Sequence, residues 1–330
     1  MAIIFLTHSP DMLKNYYGER AVAELRKLGD LRINSTGQVL DAAALVAQSR
    51  GCDIVVSDRQ TAGPGEALEQ MDCAAFLRCA VDIRNIDVDV ASANGILVTR
   101  ATPGFIASVA ELGIGFMIDL ARGMTSHAVG YHAGAQPPAI PGLQLKGSTV
   151  GIIGFGVIAE SLARLCIAFG MTVLASDPFK KITEPGVKQV SFEDLLATSD
   201  FVVCLVVATE QTENLMDASA FARMRRSAYF INLSRGNLVD DAALIAALDS
   251  KSIAGAATDV GRAPDQMPTV EMGRRPDMIA TPHIGGLTPQ AIEHQAFDTV
   301  GQVADLVAGR VPKGAVNTDK ATRLSRLRKG

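Results

Sequence analysis

The stretch TVGIIGFGVIAESLARLCIAFGMTVLASD, residues 149–177, restricts the fold more than any other part of the chain. An apolar run ends in Gly154-Phe155-Gly156, Ala159 stands three positions after the second glycine, and a helix-period segment leads to a second apolar run closed by Asp177. This spacing predicts strand, tight turn, helix and strand. The first glycine makes the turn, the second lets the main chain approach a pyrophosphate, and the small third residue lets helix and strand pack closely. A phosphate would rest on the helix N-terminus, where unpaired N–H groups and the dipole favour an anion. Asp177 follows Gly154 by 23 residues. A carboxylate there accepts from ribose hydroxyls and repels a 2′-phosphate, so the expected cofactor is NAD rather than NADP.

The same rhythm runs through the rest of the chain. The opening residues MAIIFLTHSP read as a first strand, and further apolar runs lie at 52–58, 75–80, 96–100, 200–207, 228–234 and 254–260. They are nearly continuous rather than alternating, as strands of a parallel sheet covered on both faces must be. Segments such as FEDLLATS and DAALIAALDS carry helical spacing between them. Alternating strands and helices imply an α/β doubly wound fold. Long helical patterns at 108–124 and 288–309 flank the central block, and the Pro- and Gly-rich 134–142 reads as a surface connection. The expected architecture is two Rossmann-like, doubly wound parallel-sheet domains. A nucleotide-binding domain, 101–289, is inserted into a discontinuous substrate domain of 1–100 and 290–330. The length of 330 residues suits two domains.

Composition removes several function classes. A net charge of −4 argues against nucleic acid as a partner, and the basic end KATRLSRLRKG reads as a solvated terminus. No run of about 18 apolar residues calls for a membrane. The first residues lack the basic n-region of a signal peptide, so a cytoplasmic protein is expected. Cys52, Cys73, Cys79, Cys166 and Cys204 are odd in number with no CxxC pair, and read as buried free thiols. The scattered histidines suggest no metal site.

Two motifs carry chemistry. In YFINLSRGNLVDDAALIAAL, Arg235 stands just past a buried strand, where side chains of a parallel sheet face the ligand crevice. A guanidinium there can grip a carboxylate through two parallel bonds and polarise an adjacent carbonyl. In MIATPHIGGLT, His283 lies in a turn between an apolar strand and a helix start. Imidazole is suited to exchanging a proton near neutral pH, and Gly285 and Gly286 allow a close main-chain approach.

These segments together resemble the D-isomer-specific 2-hydroxyacid dehydrogenases. GILVTRATPGFIASVAEL resembles their interdomain helix entry, QLKGSTVGIIGFGVIA their nucleotide loop, and FINLSRGNLVDDAAL and TPHIGGLT their two catalytic signatures. The resemblance implies hydride transfer between NAD and a small D-2-hydroxy or 2-oxo acid. It places Arg235 on the substrate carboxylate and makes His283 the proton donor or acceptor. It also implies nucleotide contacts from Val157, Ile158, Val206, Val207 and Thr212, with Leu233, Ser234 and Asp259 at the nicotinamide end. A homodimer is expected on the same ground.

The chain departs from the family pattern in three places. In DVGRAPDQMP the family's glutamate before proline is replaced by Ala263. That carboxylate orients the imidazole, so Asp265 or Gln266 is expected to replace it. The substrate loop reads LRCAVDIRNID, with Asp82 where a glycine and Arg84 where an aspartate is usual. The main-chain N–H groups of Val81, Asp82 and Ile83 remain candidates for holding a carboxylate. Arg84 either recognises a second acidic group or repacks the loop. Val207 stands where proline is common. The alternative function is an NAD(H)-sensing binding protein with little turnover, which Ala263 favours.

Overall fold

Strand β1 (Ile3–Leu6) shows how these sequences fold: Ile4 and Leu6 enter one core while Phe5 enters another. Side chains alternate across a strand, so a run apolar at every position needs cover on both faces. The computed structural model describes residues 1–263 and 266–329. The chain forms two compact units, Met1–Gly104 with Pro289–Gly330, and Phe105–Thr288.

The first unit holds a five-stranded parallel sheet of β1, β2 (Asp30–Ile33), β3 (Ile54–Ser57), β4 (Ala75–Arg78) and β5 (Leu97–Arg100), in the order β2-β1-β3-β4-β5. One face is covered by Ala296, Val300 and Val303 of the helix Pro289–Val307, packed on Ile4, Leu6, Ile54 and Val56. On the other, Leu45 and Leu68 cover Phe5, Val55 and Phe76.

The second unit holds seven parallel strands: β6 (Thr149–Ile153), β7 (Thr172–Ser176), β8 (Val187–Gln189), β9 (Phe201–Cys204), β10 (Tyr229–Asn232), β11 (Gly255–Thr258) and β12 (Met278–Ala280). Their order is β12-β11-β10-β9-β6-β7-β8. The order reverses between β6 and β9, and ligands of such sheets bind beyond the carboxyl ends of the strands at that reversal. The helices Ile106–Arg122 and Val157–Ala168 cover one face over Ile152, Val173 and Ile231. Phe221, Leu244 and Leu248 cover the other over Val202 and Phe230.

Two edge strands and one helix are among the elements that the sequence pattern does not mark. β2 and β8 are edge strands, partly exposed and carrying Asp30, Arg32 and Lys188 in place of an apolar run. The helix Met124–His132 buries no residue, so it has no apolar stripe to read. All five cysteines are free and buried. Burial pushes the thiols of Cys73, Cys79, Cys166 and Cys204 up to about 12, far from the thiolate a nucleophile needs.

Candidate active site

The nucleotide turn is built as its glycines require. Gly154 has φ +82°, and a Cβ there would lie 2.8 Å from Val206 Cα. Its N–H donates to the carbonyl of Ser176 at 2.8 Å, closing β6 against β7. Gly156 is the N-cap of the helix Val157–Ala168 and offers no side chain to the first-turn N–H groups. A Cβ on Gly156 would meet nothing within 4 Å, so that side of the turn is open. Val157 is 52% exposed there, whereas Ala159 is buried where helix meets sheet. An open, uncapped helix N-terminus beside a glycine turn fits a pyrophosphate. Asp177 stands directly after β7. Its Oδ2 accepts the N–H of Phe155 and its Oδ1 the N–H of Phe179, each at 2.9 Å. A carboxylate keeps further lone pairs for ribose hydroxyls after two such bonds.

Across the strand reversal, β9 leads into Val206 and the exposed Val207. The Thr212 hydroxyl donates to the carbonyl of Val207 at 2.9 Å and accepts the N–H of Thr209 at 2.8 Å, fixing this turn without a proline. The Ser234 hydroxyl donates to the carbonyl of Val206, tying the segment after β10 to this loop.

Arg235 rests on Asn232, a residue that the sequence reading missed. The buried Asn232 side chain accepts the N–H of Ser234 at 3.1 Å and donates to the carbonyl of Arg235 at 2.9 Å. The half-buried guanidinium donates to the carbonyl of Ser234 at 2.7 Å. Leu233 is buried beside the helix Ile106–Arg122. Gly236 meets Gly261 main chain to main chain; a Cβ on Gly236 would fall 2.1 Å from the carbonyl carbon of Gly261.

Asp259, expected at the nicotinamide end, holds the turn that carries His283. It is 3% exposed. Its Oδ1 accepts from the Thr281 hydroxyl at 2.5 Å and from the N–H of Ile284 at 2.8 Å, and its Oδ2 from the N–H of Gly285 at 2.7 Å. His283 is half-buried with φ +55°, and its N–H donates to the carbonyl of Thr281 at 2.9 Å. A non-glycine residue in this region stores strain that the surroundings must offset. Gly286 follows, against Phe105.

The segment that lacks the glutamate folds on itself. Gly261 N–H donates to the carbonyl of Gln266 at 2.8 Å, Ala263 N–H to that of Met267 at 3.1 Å, and Gln266 N–H to that of Ala263 at 3.0 Å. Gln266 has φ +59°, and its buried Oε1 has no hydrogen-bond partner. Asp265, with Pro264, lies outside the described residues. Arg262 anchors the segment through Glu213, Asn214 and the carbonyls of Asn237 and Val239. Nothing in its sequence context marked it.

In the first unit, Val81, Asp82, Ile83 and Arg84 follow β4. The Arg84 guanidinium is paired with Asp82, Nε lying 3.0 Å from both carboxylate oxygens. Beneath this loop is a buried polar cluster that the sequence reading also missed. Thr7 and His8 stand at the end of β1, Asp58 after β3 and Arg78 at the end of β4. Arg78 donates to the carbonyl of Asp58 and to Asn85. Burial raises the Asp58 carboxyl, but the hydroxyls of Thr61 and Thr7 overcome it and hold it below its ordinary value. Burial pushes His8 down to about 4, against the attraction of Asp58.

Comparison with known proteins accords with this geometry. The family described as D-isomer specific 2-hydroxyacid dehydrogenase, NAD binding domain, matches residues 114–285. The chain is 33% identical over 298 residues to (S)-sulfolactate dehydrogenase of Chromohalobacter salexigens, covering 88% of this chain and 96% of the relative. It is 34% identical over 232 residues to hydroxypyruvate reductase of Thermotoga maritima, covering 68% and 75%. The solved structure of D-2-hydroxyisocaproate dehydrogenase has the same fold, with TM-score 0.84 at 24% identity over 96% of this chain and all of the other, 100%.

Proposed function

Because the chain belongs to the D-isomer-specific 2-hydroxyacid dehydrogenase family, we propose that it interconverts a small 2-hydroxy acid and its 2-oxo acid, with Arg235 on the carboxylate and His283 exchanging the proton. It is an NAD-dependent oxidoreductase. When bound, the nicotinamide supplies or accepts the hydride. The chain's own residues do the rest. Arg235 grips the carboxylate of the 2-oxo acid and polarises the neighbouring carbonyl. As the hydride reaches C2, His283 gives a proton to the oxygen; in oxidation it takes that proton back. Asp265 or Gln266 takes the role of the absent carboxylate and orients the imidazole.

One observation carries the reading. The anchors of the two proposed catalytic turns stand on neighbouring strands and are bonded to each other: the N–H of Asp259 donates to the carbonyl of Asn232 at 3.1 Å. Asn232 seats Arg235, and Asp259 fastens the turn of His283. A site that only sensed the nucleotide would not need both turns held.

The test is to mix the protein with NADH and a panel of 2-oxo acids and follow absorbance of the reduced nicotinamide. The panel includes the 2-oxo acids that correspond to the two relatives' names, sulfopyruvate and hydroxypyruvate. Oxidation that depends on a particular acid supports the enzyme. NADH binding with no turnover across the panel would favour the sensor that Ala263 suggests.

A further inference from the structure

The peptide planes of the nucleotide turn are set by side chains outside it. Phe155 lies between two glycines, so its flanking peptides can rotate more freely than those between ordinary residues. Both of its main-chain polar groups are nevertheless held. Asp177 Oδ2 takes the N–H, and Lys180 Nζ donates to the carbonyl at 3.1 Å. Lys180 is held in turn by Glu160, in the first turn of the helix Val157–Ala168, at 2.5 Å. Its Nζ also lies 5.4 Å from the centroid of the buried Phe155 ring.

A trans peptide places C=O and the following N–H on opposite sides of the chain, and no cis peptide is present among the described residues. Holding the carbonyl of Phe155 on the Lys180 side therefore turns the N–H of Gly156 to the other side. Holding the N–H of Phe155 on Asp177 does the same in mirror sense for the carbonyl of Gly154. A flip of the 155–156 peptide would aim a carbonyl, rather than an N–H, at an anion lying on the helix N-terminus.

We propose that Lys180, steadied by Glu160, is a positioning residue of the NAD site that keeps the Gly156 N–H presented to the pyrophosphate. The proposal rests on the reading of this turn as the pyrophosphate site. Lys180 does not touch the phosphate in this account; it acts through the peptide plane. Its side chain is 43% exposed, so its replacement by a methylene chain of similar length leaves the core untouched.

The test uses the full-length protein and the variants Lys180→Met, Lys180→Arg and Glu160→Gln. Binding of ADP-ribose and of NADH is measured by calorimetry, and steady-state kinetics with an accepted 2-oxo acid give KM for NADH and kcat. Lys180→Met should weaken both ligands by a similar factor, about 5- to 10-fold, as expected for loss of one charge-assisted hydrogen bond. KM for NADH should rise alike while kcat at saturation stays within about twofold, since only ground-state binding is lost. Lys180→Arg should recover most of the affinity, and Glu160→Gln should lose a smaller part. Unchanged ADP-ribose affinity in Lys180→Met overturns the proposal, as does an arginine variant no better than the methionine one. If Lys180→Met does not fold, wild-type affinity in Glu160→Gln overturns it instead. Wild-type protein that binds neither ligand would refute the assignment of the turn itself, a result distinct from failure of the clamp.

Discussion

Asp259 accepts the main-chain N–H of Gly285 at 2.7 Å, and the approach is so close that a Cβ on residue 285 would lie 2.8 Å from the same carboxylate oxygen. With Thr281 and Ile284 also bonded to it, this one side chain fixes both flanks of a turn in which His283 adopts φ +55°. Asp259→Ala would leave the buried N–H of Gly285 and the part-exposed donors of Thr281 and Ile284 without their acceptor. A buried donor left unpaired costs about 1–3 kcal/mol, so unfolding in urea should show a loss of about 2 kcal/mol. Gly285→Ala should lower turnover by forcing the turn outward. Unfolding free energies within about 0.5 kcal/mol of wild type for Asp259→Ala would mean that the turn stands without it.

Arg235 should separate substrate from nucleotide. Lysine keeps the charge but loses the planar fork. Arg235→Lys should lower kcat/KM for the 2-oxo acid by roughly 30-fold or more, equivalent to about 2 kcal/mol of transition-state stabilisation. NADH affinity should change little. Equal losses for both ligands would place Arg235 outside the substrate site.

Asp177 has two tasks, and its variants can tell them apart. The carboxylate holds the N–H of Phe155, and its second expected task is to accept from the ribose hydroxyls. Asp177→Ala should weaken NAD binding by about 1.5–3 kcal/mol, the value of a charged hydrogen bond, and relax rejection of NADP. Asp177→Asn keeps an acceptor for Phe155 and should retain more NAD affinity while still admitting NADP. A wild-type preference for NADPH would overturn the ribose assignment.

Strand β6 and the turn after it were legible because glycine spacing and an apolar run are local signals. β10 and β11 were legible for the same reason. The partners of Asp259 were not: Thr281, Ile284 and Gly285 reach it because β11 and β12 are neighbours, which no local pattern states. The motif resemblance singled out Asp259 as part of the nicotinamide end, and the fold adds the bonds it makes to the His283 turn. Arg78 was hidden for a different reason. AFLRCA reads as a strand, and an arginine at its end looks solvated until β3 and the loop at Asn85 close over it. Asn232 likewise looks like one more polar strand end. In each case the missing information is a contact between residues distant in sequence, and the chemistry of the residue depends on it.

Gln266 is one of the two residues expected to replace the missing glutamate, and its Oε1 is buried with no hydrogen-bond partner. Gln266→Met keeps the bulk and removes the acceptor. If Gln266 orients His283, the change should lower kcat by about 10-fold or more, within the roughly 10²- to 10⁴-fold that general acid–base catalysis contributes, while NADH affinity holds. Restoring the family residue by Ala263→Glu in the Gln266→Met background should recover part of the rate. If Gln266→Met is as active as wild type and Asp265→Asn is not, the orienting group is Asp265.

His8 makes the first unit sensitive to acid. Burial dominates its environment and lowers it from 6.5 to about 4, with Asp58 opposing and Arg78 assisting. Above pH about 6.5 the imidazole is neutral in both folded and unfolded chains, and the full stability is present. Between about 6.5 and 4 the unfolded chain takes up a proton that the folded one refuses, so stability falls as pH falls. Below about 4 both states are protonated and this group adds no further loss. A displacement of this size amounts to about 3 kcal/mol across the window. His8→Phe keeps a ring against Tyr17, from which the imidazole centroid is 4.8 Å away, and cannot titrate. Urea unfolding at pH 7 and at pH 4.5 should therefore show a smaller difference in His8→Phe than in wild type, by about 2–3 kcal/mol. Groups that do not interact with His8 titrate in both proteins and cancel in that comparison. Identical pH dependence in the two would show that His8 is protonated in the folded chain and that its buried surroundings accommodate the charge.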